Sequence, residues 1–139
     1  MAYWLVKSEP DVWSFEQQTK AGAKGEPWTG VRNHTAKLNL MKMKKGDRAF
    51  FYHSNIGKEI VGIVEVAREH YPDPTAKAGE PWVVVDFKAV VPLPAAITLE
   101  AIKKEPKLKE MALLKQSRLS VQPVTAEEWK LISKMGGIK

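Results

Sequence analysis

The sequence contains no cysteine, which excludes disulfides, thiol nucleophiles and thiolate metal sites together. It has no uninterrupted apolar run near the ~20 residues that a membrane-spanning helix needs. Residues Met1 to Val6 are too few for the apolar core of a signal peptide and are followed by charge, so the chain is expected to work inside a cell, in the cytoplasm. Histidine is scarce. His34, His53 and His70 lie far apart, without partners at i+3 or i+4, and no metal is expected. Gly57 and Gly62 stand alone with no Gly-Lys-Ser or Gly-Lys-Thr after them, so no phosphate loop is present. Ser8, Ser14, Ser54 and Ser120 lack the flanking glycines of a hydrolase nucleophile turn. Catalysis is left with carboxylates and isolated histidines, and no cofactor is implied. No internal repeat or low-complexity tract occurs.

What is present fits one domain spanning 1–139, long enough to bury roughly two thirds of its unfolded surface. Hydrophobic residues at 44% and charged residues at 27% are ordinary for a globular chain. The net charge of +6 and pI near 9.5 favour a polyanionic partner, through long-range attraction and counterion release.

Tyr3 to Val6 reads as a strand of aromatic and branched residues. Asp11 or Ser14 can cap a short helix holding Trp13 and Phe15. Lys20 to Pro27 is a glycine- and proline-marked loop. Asn33 caps a helix to about Met43, with Ala36, Leu40 and Met43 as its buried stripe. Strands are expected at Arg48–His53, at Ile60–Val66 and from Trp82 to Val91, where Pro92 and Pro94 close the last one. Between them, Tyr71 to Pro81 reads as a long proline-bearing loop, a length more often functional than idle. Thr98 caps a helix through Lys104, and Pro106 opens another ending near Leu114. Leu119–Val124 is a short strand, and Thr125 with Glu128 forms a capping box for a terminal helix ended by Gly136-Gly137. Strands grouped with short helices imply a mixed α+β, barrel-like domain.

Five tryptophans are many for this length. Trp4, Trp13 and Trp129 lie on amphipathic elements and read as core. Trp28 and Trp82 each follow a Glu-Pro pair. For Trp28, pocket lining and packing stand side by side, whereas Trp82 reads as a strand anchor. Tyr71 is a third aromatic able to close over a ligand. The run Trp28-Thr29-Gly30-Val31-Arg32-Asn33 sets a flat π-face beside a cation and hydrogen-bonding groups, which is what an unstacked base requires. A second polar-aromatic cluster, Phe50 to Ser54, ends a strand. Basic residues gather at Lys42 to Lys45 and from Lys103 through Arg118, and Arg118 sits in a loop from which it can reach a cleft.

Tyr3-Trp4-Leu5-Val6-Lys7-Ser8-Glu9-Pro10, Trp28-x-Gly30-Val31-Arg32-Asn33, Phe51-Tyr52-His53-Ser54, Val61-Gly62-Ile63, Tyr71-Pro72-Asp73 and Ser117-Arg118-Leu119-Ser120-Val121-Gln122-Pro123-Val124 with Trp129 occur in the order found in EVE-domain proteins. Over its whole length the chain resembles stand-alone prokaryotic members of that family. They belong to the PUA-like superfamily and are similar to YTH domains, which cage a methylated adenine. The resemblance implies an α+β fold, a PUA-like small mixed β-barrel flanked by short helices. YTH proteins have Lys-Ser-Asn where this chain has Lys7-Ser8-Glu9. A carboxylate only accepts hydrogen bonds, which suits cytosine with its donor amine.

The resemblance therefore implies non-catalytic recognition of a modified base, 5-methyl- or 5-hydroxymethylcytosine in DNA. Trp28 would stack on the base, with Tyr71 as a second wall. Ser8, Glu9, Thr29, Asn33, Tyr52, His53 and Ser54 would surround its edge, and Lys7, Arg32 and Arg118 would hold the nucleic-acid backbone. The alternatives are a module for modified RNA, an enzyme acting on a nucleic acid or nucleotide with Glu9, Asp11 or His53 as acid or base, and a protein–protein adaptor.

Overall fold

The computed structural model describes residues 1–138. Strand β1 (Tyr3–Ser8) sets the architecture. Trp4 and Val6 face one buried cluster while Leu5 faces another, and a strand buried on both faces belongs inside a sheet. It pairs in parallel with β3 (Arg48–His53) and antiparallel with β6 (Val121–Val124). Strand β4 (Glu59–Pro72) follows β3 through a tight turn and carries β5 (Val83–Thr98) on its far side, and the two-residue β2 (Glu26–Pro27) pairs with β5. The order is β2-β5-β4-β3-β1-β6. The domain is thus a small mixed sheet flanked by short helices, as the α+β reading expected, and its pairing does not close into a full ring.

One face is covered by α1 (Phe15–Lys20) and α2 (His34–Lys42). Phe15, Ala36 and Leu40 pack there with Trp4, Val6, Trp28, Phe51 and Phe87. Phe15 lies so close to the sheet that a Cβ on Gly62 would stand 2.3 Å from its ring, so only glycine fits beneath it. The other face is covered by α3 (Leu99–Lys104), a 3-10 turn at Pro106–Leu108, α4 (Ala112–Lys115) and α5 (Ala126–Met135). Ile102, Leu108, Met111, Leu113 and Ile132 pack there with Leu5, Phe50 and Tyr52. Among the described residues no helix is long and apolar enough to cross a membrane.

Several expectations change. Strand β4 runs through Tyr71 and Pro72, which pair with Val84 and Val83, so the long loop begins only at Asp73. Strand β5 continues past Pro92 and Pro94 to Thr98. Beyond Phe87 its second edge carries no strand among the described residues, and proline, lacking an N–H, is tolerated on such an edge. Trp13 precedes α1, because Ser14 takes the cap position with Gln17 completing a capping box; Asp11 is therefore not the cap. The segment after Pro106 splits in two where Met111 turns inward.

Candidate nucleic-acid interface

At the C-terminal end of β1 the chain reverses tightly. The carbonyl of Glu9 accepts the N–H groups of Val12 and Trp13, both at 2.9 Å. The Ser8 hydroxyl donates to the Trp13 carbonyl at 2.6 Å. The Trp13 indole N–H donates to Gln18 Oε1 at 2.9 Å, and Gln18, fully buried, donates onward to the Phe87 carbonyl at 2.8 Å. A buried amide with both ends engaged holds the indole in one place.

Opposite this turn runs Glu26 to Thr29. Trp28 donates its backbone N–H to the Val85 carbonyl at 2.9 Å. The residue is 7% exposed, and its ring stands perpendicular to Phe51 and Phe87, with centroids 5.5 Å away in each case. Between the two segments lies a cleft of about 320 Å³ lined by Lys7, Ser8, Glu9, Val12, Trp13, Glu26, Pro27, Trp28 and Thr29. That volume is at the lower end for small-molecule sites, roughly 300–1,000 Å³. Trp13, Trp28, Pro27 and Val12 give it apolar walls. Glu9 and Glu26 supply acceptors, Thr29 a hydroxyl, and Lys7 a cation whose pKa burial lowers. The Lys7 ammonium donates to the Ser117 carbonyl at 2.6 Å.

A clasp holds the far side of the Trp28 loop. Asp73, whose side chain is 0% exposed, accepts from the Gly30 N–H at 3.0 Å, Arg32 Nη1 at 3.0 Å, and the Thr75 N–H and hydroxyl at 2.7 and 2.6 Å. Gly30 reaches it with φ of +85°, a conformation natural to glycine. Burial alone would raise the Asp73 pKa, but the bonds from Thr75, Gly30 and Arg32 outweigh it and hold the carboxyl at about 2.

The residues singled out in the sequence fall in different places. Lys7, Ser8, Glu9, Trp28 and Thr29 meet at the cleft. Asn33 spends its side chain capping α2, accepting from the Ala36 N–H at 2.9 Å, and lies with the exposed Arg118 in a separate shallow depression. Tyr52 is buried in the cluster on the opposite face, and burial raises its pKa. His53 Nε2 accepts the Phe15 N–H at 3.1 Å, and its pKa is lowered by burial against a smaller opposing effect of Glu59. Ser54 donates its backbone N–H to the Ser8 carbonyl at 2.9 Å, bracing the end of β1. Tyr71 donates its hydroxyl to Asp86 at 2.5 Å with Arg68 3.8 Å over its ring, and burial with the Asp86 bond pushes its pKa up to about 12. Arg32 is engaged by Asp73 and by Thr75. Sequence reasoning assigned Trp13 to the core, gave Asp73 no role beyond its place in the Tyr71-Pro72-Asp73 motif, and passed over Val12, Glu26 and Gln18. The Glu-Pro pair before Trp28 was the one available signal for Glu26.

A sequence model of the EVE domain matches residues 2–135. Thymocyte nuclear protein 1 of Mus musculus is 36% identical over 161 aligned positions, covering 94% of this chain and 71% of that protein. A solved protein of Rhodopseudomonas palustris is 66% identical with a TM-score of 0.93, covering 99% of this chain and 94% of that one. The human THYN1 protein in complex with 5-methylcytosine-containing DNA is 32% identical with a TM-score of 0.91, covering 100% of this chain and 99% of that one. A YTH domain of Zygosaccharomyces rouxii, at 16% identity and a TM-score of 0.60, covers 99% of this chain and 88% of that one and shares the fold alone.

Proposed function

The chain belongs to the EVE domain family, and from that premise we propose that it is a nucleic-acid-binding module holding an extruded, modified cytosine of DNA without altering it chemically. The observation that carries the reading is the cleft: a recess of about 320 Å³ with a fixed aromatic lining and two carboxylates, Glu9 and Glu26. Carboxylates accept from the exocyclic amine of cytosine, and the indoles of Trp13 and Trp28 offer apolar surface to its ring and to a methyl at C5. The 5-methylcytosine DNA seen with the human relative supports that choice of base. Extrusion costs a few kcal/mol. One stacked base returns roughly 1–3 kcal/mol, and each hydrogen bond adds about 1 kcal/mol.

In this assignment Trp28 meets the base, while Ser8, Glu9 and Thr29 surround its edge. Lys7 and Arg118, with Asn33 beside the latter, face the sugar–phosphate chain, supported by the net charge of +6. Tyr52, His53, Ser54, Tyr71 and Arg32 act by holding the frame. His53 in particular is engaged as an acceptor from Phe15, which argues against its use as a general base.

The test is binding of the purified chain to matched oligonucleotides carrying cytosine, 5-methylcytosine or 5-hydroxymethylcytosine, as DNA and as RNA, at one salt concentration. Tightest binding to a modified-cytosine DNA, with every oligonucleotide intact by mass spectrometry, is the expected result. Equal affinity for modified and unmodified strands overturns the base-reading assignment. Turnover that vanishes in Glu9→Gln replaces the reader with an enzyme.

A further inference from the structure

We infer that Val12 is the wedge that enters the duplex and fills the gap left when the base moves into the cleft, an inference that rests on the function proposed above. Val12 sits in the reverse turn after β1 and is 68% exposed. A single exposed apolar residue is ordinary in itself. Met1, Leu38, Met41, Ile56 and Val90 are also exposed, yet of all these Val12 alone lines the cleft. It adjoins Trp13, so it stands on the rim of the recess that would receive the base.

The backbone holds it there. Its N–H and that of Trp13 both bond to the Glu9 carbonyl, and the Ser8 hydroxyl ties the Trp13 carbonyl to the end of β1. A β-branched side chain adds stiffness at χ1. The result is a short, stiff apolar knob on the rim of the cleft. An extruded base leaves a gap about one stacking step, ~3.4 Å, high. Proteins that unstack a duplex fill such gaps with apolar side chains, at a cost of a few kcal/mol per step. Ile56, on the turn between β3 and β4, is the competing candidate. It is 56% exposed and lies two residues from Ser54, which bonds to Ser8, but it does not line the cleft.

The probe is one oligonucleotide with a single 5-methylcytosine, used as a duplex, as a single strand, and as a duplex with an abasic site opposite the modified base. Val12→Ser, Val12→Leu and Ile56→Ser are compared with the unaltered chain. The quantity read is the ratio of duplex to single-strand affinity. In Val12→Ser that ratio should fall about tenfold, the scale of losing part of the unstacking compensation. The duplex with the abasic site should recover most of the loss, and Val12→Leu should keep the ratio within about threefold, since leucine also serves as a wedge. Equal losses on duplex and single strand, or a duplex-specific loss in Ile56→Ser alone, overturn the assignment to Val12. If the unaltered chain shows no preference for the modified base even as a single strand, the cleft reading fails first. If it prefers the modified single strand but never the modified duplex, the wedge alone fails.

Discussion

Trp28 and Trp129 sit on opposite faces of one sheet, and their surroundings differ in kind. Trp129, on α5, lies nearly parallel to Tyr3 and Phe50, with centroids at 4.5 and 4.0 Å and interplanar angles of 18° and 20°. It spends its ring on neighbours within the chain. Trp28 stands at 89° and 90° to Phe51 and Phe87 and has no parallel ring partner among the described residues. Both are packed, but Trp129 spends its faces on stacked rings, whereas Trp28 meets its ring neighbours edge-on and lines the cleft. On the reading proposed above, ring orientation and an open border, not aromatic abundance, are what a base site needs.

The strongest way to break that comparison is to truncate each ring. Trp28→Ala should cost roughly 3–5 kcal/mol, as large aromatic truncations in cores do, and should abolish preference for the modified base. Trp129→Ala, half-buried, should cost somewhat less and keep the preference. Chemical denaturation and oligonucleotide binding read the two effects separately. Trp28→Phe should regain much of the stability with weakened binding. Loss of base preference in Trp129→Ala to the same degree would mean that the cleft is not the site.

Next in size is the clasp that supports one side of the comparison. Asp73→Ala leaves the Arg32 guanidinium and the Gly30 and Thr75 donors without their acceptor and should cost about 3 kcal/mol. The Asp73 carboxyl is held at about 2 against 3.8 when unperturbed. A depressed carboxyl contributes stability that is present above the unfolded value and lost as pH falls through the folded one. Unfolding followed from pH 5 to pH 2 should therefore show a loss of about 2 kcal/mol that Asp73→Asn removes. If the acid limb is the same in the variant, the clasp is not the ionised group.

How far these features were legible in the sequence depends on their range. Caps were legible, because Asn33, Thr98 and Thr125 act on N–H groups only three residues away. So were β1, β3 and the middle of β4, where apolar patterning is dense. The continuation of β5 through Pro92 and Pro94 was not, since whether proline breaks a strand depends on which edge is paired. The candidate site was legible along its contiguous runs: Lys7 to Glu9 and Trp28 to Thr29 do meet. Gln18 bonding to Phe87, and Asp73 to Gly30, join residues 69 and 43 positions apart, and no local pattern encodes that. Tyr52 misled for a simpler reason: neighbouring strand residues face opposite ways, so Phe51 faces the cluster that holds Trp28 while Tyr52 packs on the other side.

A smaller effect is expected at His53, which ties the cleft face to α1. Its pKa is lowered from 6.5 by burial, against a smaller opposing effect of Glu59, and Nε2 accepts the Phe15 N–H only while it is unprotonated. The contribution is complete above the ordinary histidine value and declines as pH falls through the lower folded one. His53→Gln, which keeps an acceptor, should flatten stability across that window. An unchanged pH profile would show that protonation at His53 is not linked to folding.

The smallest effect separates two arginines that the sequence placed in one role. Arg32 bonds to Asp73 at 3.0 Å and to Thr75 at 3.2 Å, whereas Arg118 is exposed beside Asn33 and Thr35. A guanidinium already committed to a buried carboxylate has little left for a phosphate, while an exposed one can displace a condensed counterion. Arg118→Ala should therefore leave stability within about 0.5 kcal/mol and lower the salt slope of binding by about one unit, evenly across sequences. Arg32→Ala should do the reverse, lowering stability with little change in slope. Measuring log affinity against log salt for both variants decides it. A slope unchanged in Arg118→Ala, or reduced in Arg32→Ala, would move the phosphate contact from the α2 end of the domain to the clasp.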